Sequence, residues 1–104
     1  EAQPDIFCFH AGTTKGGLKG YDSGETIEGT AQRTEAANKV LRKLKPDVIL
    51  VAHGAAMSNT QDAEYMLHNT SVDGIWTGSS TERIPIEKAV YSTAKEFADL
   101  RFKK

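Results

Sequence analysis

Three short apolar runs recur along the chain, and each ends in a polar side chain at a turn. The first two, residues 6–10 and 47–53, are bounded by proline or aspartate on one side and glycine on the other, and the third occupies residues 74–80. Short apolar runs with these boundaries are typical of β-strands. The first run shows no polar alternation, which predicts a strand buried on both faces.

Amphipathic stretches separate and follow these runs. From residue 25 to residue 45, apolar positions recur mainly at spacings of three and four, which predicts a helix that Pro46 stops. Capping residues at 58–61 predict a second helix to about Leu67, and a third begins near Pro85. The order β-α-β-α-β-α predicts an α/β fold of three consecutive βα units with parallel strands and right-handed crossovers.

The predicted strands need more cover than the predicted helices supply. Three helices in this order can cover one face of a barrel wall, or parts of both faces of an open sheet. The sheet edges would also lack neighbours. We therefore expect residues 1–104 to belong to a larger α/β protein, a barrel in particular, and to associate with its remaining strands or with copies of themselves as a homo-oligomer.

Composition narrows the class of protein only slightly. The 104 residues are 38% hydrophobic and 26% charged with a net charge of -1, which is ordinary for a soluble domain and favours neither nucleic acid nor an acidic membrane as a partner. The single cysteine, Cys8, excludes an intrachain disulfide and is read as a small core residue. We expect a cytoplasmic location, since no apolar stretch approaches a membrane span.

Three strand ends of one kind predict one shared site. His10 and His53 each close an apolar run and precede a glycine turn, and the third run ends in Gly78, Ser79 and Ser80. A histidine there could serve as a general acid or base, because its ordinary pKa lies near operating pH. A purely structural histidine is the alternative for both.

The glycine turns are candidates for binding a phosphate group. Backbone N–H groups after Gly54 and around Gly78, Ser79 and Ser80 could face an anion, because glycine turns that follow parallel strands can present such groups. The alternative is that the glycines only shape turns and the serines only cap a helix.

Charged and hydroxyl side chains nearby extend the candidate site. Thr13, Thr14 and Lys15 lie in a long loop over residues 12–24, here called the glycine-rich loop, where they could hold a carboxylate or phosphate or simply be solvated. Glu82, a candidate catalytic carboxylate, is also favoured by the helix dipole. Arg83 is not favoured at a helix start, so it indicates either a bound anion or an ion-pair partner.

Two large aromatic residues and a third histidine have simpler interpretations. Tyr21 and Trp76 are interpreted as packing residues, and His68, beside a helix end, as a surface residue. The spacing of the three histidines matches no recognised zinc pattern.

Residues 5–17, 46–54 and 78–85 together resemble the C-terminal part of the TIM-barrel phosphoenolpyruvate hydrolase-like family, also described as a TIM-barrel signal-transduction family. The resemblance covers nearly all of the chain, but under half of a typical barrel of about 250 residues. It implies that the three strands are the last three of eight, so that residues 1–104 form the C-terminal segment of one barrel domain. Kinship also implies a divalent metal such as Mg²⁺, held by residues outside this segment.

One departure from the family pattern concerns the second motif. The family tends to continue from the histidine and glycine with Gly-Pro, whereas this chain has Ala55 and Ala56. A Cβ at position 55 restricts the backbone and could hinder close approach to a phosphate.

Three hypotheses for function follow. The leading one is an enzyme acting on phosphoenolpyruvate or a similar small phosphorylated or keto carboxylate, which both histidines and the Gly-Ser-Ser turn favour. The second is a ligand-binding or regulatory module without catalysis, and the third is a structural segment without a site. Ala55 favours the second and third.

Overall fold

The computed structural model describes residues 2–101, and their elements follow the predicted order. These are β1 (Ile6–His10), α1 (Ile27–Leu44), β2 (Ile49–His53), α2 (Thr60–Asn69), β3 (Gly74–Ile75) and α3 (Arg83–Ala98). The strands form one parallel sheet in the order β1-β2-β3. The predicted α/β fold with consecutive βα units is therefore confirmed.

The sheet register aligns the ends of the first two strands. β1 and β2 pair from Ile6 with Ile49 to His10 with His53, so that the two histidines are direct neighbours. β3 is much shorter than predicted from residues 74–80. The chain leaves the sheet after Trp76, and the backbone N–H groups of Thr81 and Glu82 both bond to the Gly78 carbonyl in a tight turn.

Local capping chemistry sets the helix starts. The Thr26 hydroxyl accepts from the Gly29 N–H at 3.2 Å and begins α1, and the Asn59 side chain accepts from the Asp62 N–H at 2.9 Å and begins α2. Side-chain caps of this kind satisfy N–H groups that have no partner within the helix. The predicted helices are confirmed with shifts of one or two residues at their ends.

The buried core lies on one face of the sheet. Leu50 and Ala52 of β2 are almost fully buried there, and Ala52 packs with Ala31 of α1 and with Met57 and Met66. Since α1 and α2 also contact each other, both helices cover this same face.

The opposite face of the sheet is open. Strand alternation places Ile6, Cys8, Ile49 and Val51 on it, and we call it the uncovered face. Ile6 is 56% exposed and Ile49 is 47% exposed. The prediction that β1 is buried on both faces is therefore wrong for the described residues, because all its helical cover lies on one side.

Helix α3 extends away from this core. Its side chains from residue 88 onward are exposed, including the predicted apolar face with Val90 and Phe97. The molecule accordingly measures 73 × 24 × 22 Å. Within residues 2–101, no helix is long and apolar enough to cross a membrane.

Candidate functional site

His10 and His53 meet at the carboxyl ends of β1 and β2. Their rings are in an edge-to-face arrangement with centroids 4.8 Å apart and an interplanar angle of 65°. Both lie on the uncovered face, because each is an even number of positions from Ile6 or Ile49 on the same strand. The predicted meeting of these two strand ends is thus confirmed.

A backbone carbonyl orients the His53 ring. His53 Nδ1 lies 2.8 Å from the Trp76 carbonyl oxygen. Because that oxygen can only accept, Nδ1 must carry the proton, and in the neutral ring Nε2 then keeps the free lone pair. The fold therefore presents His53 Nε2 as a proton acceptor.

The histidines open onto a cavity of about 320 Å³ on the uncovered face. It is lined by Cys8, His10, His53 and Trp76. Trp76 is 61% exposed, so the interpretation of Trp76 as a packing residue is wrong: its indole borders the cavity instead of filling the core. Cys8 also borders this cavity rather than the core, and burial raises the pKa of its thiol, which keeps the sulfur neutral.

Gly78 brings the third strand end to the histidines. A Cβ at this position would lie 3.5 Å from His53 Cε1, so the turn passes directly beside the imidazole. We call His10, His53, Trp76 and Gly78 the strand-end cluster.

The backbone of Ser79, the first serine of the third motif, supports the start of α3. The Ser79 carbonyl accepts from the Ile84 N–H at 2.8 Å. Ser80 lines a different cavity, of about 370 Å³, between the starts of α2 and α3, together with Met57, Ile75 and Lys88. The structure does not place the Ser80 side chain with the histidines.

Position 54 requires glycine because the backbone of Gly12 approaches it closely. The φ of Gly54 is +87°, and a Cβ there would overlap the Gly12 carbonyl oxygen. That same oxygen accepts from the Ala55 N–H at 2.8 Å, and the Ala55 carbonyl accepts from the Lys15 N–H at 3.0 Å. Gly54 and Ala55 therefore join the second strand end to the glycine-rich loop.

Ala55 itself adopts a conformation that favours glycine. Its φ is +49°, and it is the only non-glycine residue with positive φ in the described part of the chain. The left-handed region costs an L-residue about 1–2 kcal/mol. The departure noted in the sequence is thus a real backbone constraint, located at a turn next to His53.

Lys15 and Arg83, two side chains predicted to bind an anion, donate to backbone carbonyl groups of the protein itself. Lys15 Nζ donates to the Glu25 carbonyl at 3.1 Å, and Arg83 donates to the Thr14 and Gly16 carbonyls and pairs with Glu87. The ion-pair partner expected for Arg83 is thus present, and the bound anion stays a prediction. Glu82 is exposed and makes no capping bond, Thr13 is exposed and Thr14 is buried.

Sequence reasoning missed Trp76, Glu87 and Arg33. Arg33 of α1 donates to the Ala11 carbonyl at 2.7 Å, immediately after His10, and lies 6.0 Å from the centre of the Phe9 ring. For Trp76 a signal did exist, because it follows the third strand as His10 and His53 end the first two. The partners of Arg33 and Glu87 come from distant segments, and no local pattern predicts them. His68 is exposed in the last turn of α2, as expected.

The strand-end cluster does not fit Mg²⁺. This ion takes oxygen ligands, carboxylates above all, whereas the cavity is lined by two imidazoles, a thiol and an indole. Among residues 2–101, no three His, Cys, Asp or Glu side chains group closely enough to hold a metal ion.

The sequence model of the phosphoenolpyruvate hydrolase-like family matches residues 1–100. The chain belongs to this family. The resemblance drawn from the three motifs is thereby confirmed over essentially the whole chain, and the strand-end cluster lies within the region that the family shares.

Two curated relatives come from Solanum lycopersicum. They are the ToMV susceptible protein tm-1(GCR26) and the ToMV resistance protein Tm-1(GCR237), each 31% identical to this chain over 101 residues, or 96% of its length. The chain spans 13% of the length of each relative.

Proposed function

We propose that this chain contributes the acid–base half of an active site in a phosphoenolpyruvate hydrolase-like enzyme whose substrate is a small phosphorylated or keto carboxylate. The observation that carries the proposal is the bond of His53 Nδ1 to the Trp76 carbonyl. It leaves Nε2 free as a base beside His10, at the edge of a cavity. A side chain whose proton is fixed by a backbone acceptor is prepared for general base catalysis.

The substrate's anionic group would lie against the turns that follow β2 and β3. Gly78 lies next to His53 and carries no side chain between its turn and the imidazole, and Gly54 holds the neighbouring turn against Gly12. Turns of this kind present N–H groups to phosphate or carboxylate oxygens. We call this proposed region the anion pocket.

In the same proposal, the three βα units are the last three of an eight-stranded barrel. The uncovered face would then point into the barrel, and the histidines would lie at its carboxyl-terminal mouth. The exposure of Ile6 and Ile49 supports this arrangement, since neighbouring strands and inward side chains would cover them.

A second candidate is a ligand-binding module without turnover. Ala55 favours it, because a Cβ in the turn beside His53 restricts the backbone where glycine would give most freedom. The names of the tomato relatives, which refer to ToMV susceptibility and resistance rather than to a reaction, point the same way.

Binding and turnover distinguish the two candidates. The intact protein is titrated with phosphoenolpyruvate and inorganic phosphate, and phosphoenolpyruvate hydrolysis is followed by release of phosphate. The enzyme predicts binding with turnover, and His53→Ala should abolish turnover while His68→Ala, at an exposed position, leaves it unchanged. Binding without turnover supports the module, and no binding of either anion would refute both.

A further inference from the structure

Two side chains of α3 form an ion pair beside the glycine-rich loop. Arg83 Nη1 and Glu87 Oε1 lie 3.1 Å apart, one helical turn from each other. Only 16% of the Glu87 side chain remains exposed, so water screens this pair less than an ordinary surface pair. We call them the Arg83–Glu87 pair.

This pair holds the backbone of the loop at three points. Arg83 donates to the carbonyls of Gly16 at 2.9 Å and Thr14 at 3.1 Å, and the Leu18 N–H donates to Glu87 Oε2 at 2.6 Å. All three are charge-assisted bonds, which are about twice as strong as neutral ones. They join residues that are nearly seventy positions apart, so they fix the loop against α3.

Gly17 fits between these contacts because it has no side chain. A Cβ there would overlap the Glu87 carboxylate and come within 2.8 Å of Arg83 Nη1, and the residue has a φ of +76°. The loop backbone therefore passes directly over the pair.

We propose that Glu87 and Arg83 are positioning residues for the glycine-rich loop, and that by fixing residues 14–18 they order the segment that the Lys15–Ala55 backbone bond joins to the turn beside the anion pocket. The inference rests on the proposed function for the existence of that pocket. A glycine-rich segment loses much backbone entropy when it becomes ordered. The Lys15–Ala55 backbone bond fixes the early part of the loop, and the Arg83–Glu87 pair fixes its middle.

The charge of Glu87 gives this contact a pH dependence of known sign. The Leu18 N–H, then Arg83, and last the Lys19 backbone N–H lower the pKa of Glu87 below its ordinary range. Among the described residues, Arg83 is the charged side chain that acts on it. A lowered pKa means that the contact is complete above the ordinary pKa of glutamate and is lost as the pH falls through the lowered value. The contact is therefore closed at neutral pH.

The test measures loop order and anion affinity separately in the intact protein. Amide hydrogen exchange at Leu18 reports the loop, and titration with inorganic phosphate and phosphoenolpyruvate reports the pocket. The variants are Glu87→Ala, Glu87→Gln and Gly17→Ala. Glu96→Ala is the matched control, because Glu96 is an exposed glutamate of the same helix that bonds only to Ser92 among the described residues.

We expect Leu18 to exchange about tenfold faster in Glu87→Ala, the order expected from losing one hydrogen bond to a charged group. The exchange rate in Glu87→Gln, which keeps an acceptor but loses the charge, should lie between those of Glu87→Ala and the parent. Gly17→Ala should exchange as fast as Glu87→Ala, and Glu96→Ala should exchange at the parent's rate. Anion affinity should fall in the same order. In the parent, exchange corrected for its intrinsic pH dependence should rise as the pH drops through the lowered pKa, and Glu87→Gln should lack this step.

Unchanged Leu18 exchange in Glu87→Ala would overturn the inference, as would faster exchange with unchanged anion affinity. If the parent protein binds neither anion, the proposed function fails and the pocket role of the pair fails with it. The role of the pair in ordering the loop is then still decided by the exchange at Leu18.

Discussion

Gly54→Ala should destabilise the protein far more than its small size suggests. Alanine at the observed φ of +87° costs about 1–2 kcal/mol. The new Cβ would also overlap the Gly12 carbonyl oxygen, which cannot retreat without breaking its bond from the Ala55 N–H. Losing that bond adds about 0.5–1.5 kcal/mol. The free energy of unfolding should therefore fall by about 2–3 kcal/mol.

The neighbouring Ala55→Gly is a matched control that should leave the free energy of unfolding nearly unchanged. The substitution relieves a left-handed strain of about 1–2 kcal/mol, which stabilises the folded state. It also removes a buried methyl group worth about 0.8 kcal/mol. The greater entropy of glycine in the unfolded chain costs about 0.4–1 kcal/mol more. The net change should lie within about 1 kcal/mol of zero.

Urea unfolding of the intact protein measures both variants. A lower midpoint with an unchanged denaturant slope identifies a loss of stability rather than a change in compactness. If Gly54→Ala unfolds at the same urea concentration as Ala55→Gly, the turn is not held against Gly12 as described, and the link between the second strand end and the glycine-rich loop is refuted.

Three further predictions concern the site and the sheet. In the intact protein, His10→Ala and His53→Ala should lower turnover more than thermal stability, and a stability loss with full activity per folded molecule would make the residue structural. Gly78→Val should weaken phosphoenolpyruvate binding, because the methyl groups of the valine would press on the His53 ring. Gly78→Ala should bind nearly normally, since its Cβ would lie at an ordinary contact distance of 3.5 Å from His53 Cε1. Equal binding by the two variants would count against the pocket. Residues 1–104 alone should self-associate through the uncovered face in analytical ultracentrifugation, and a monodisperse monomer with cooperative unfolding would contradict this.

Local chemistry made the element order predictable. Thr26 and Asn59 cap their helices through bonds only three residues long, and Pro46 follows α1 closely, so these boundaries are encoded nearby in the sequence. The meeting of His10 and His53 was also predictable, because parallel strands of similar length end at the same level.

Features that depend on tertiary partners were not predictable. The sequence gives no sign that Glu87 accepts from Leu18, since the contact depends on how α3 docks on a loop far away in the chain. The length of β3 was overestimated because the Gly78 carbonyl bonds to its own turn instead of continuing the sheet. The exposed position of Trp76 depends on which sheet face the helices cover.

The parallel pairing of β1 with β2 has a consequence for synthesis on the ribosome. Within the described residues, β2 is the strand that pairs with β1, and all of α1 lies between them. At about 5–20 residues per second, β1 must wait several seconds for this pairing partner, with the backbone N–H and C=O groups on that edge still unpaired. An unpaired strand edge is a template for pairing with other strands, so wrong pairing competes with correct folding during that interval.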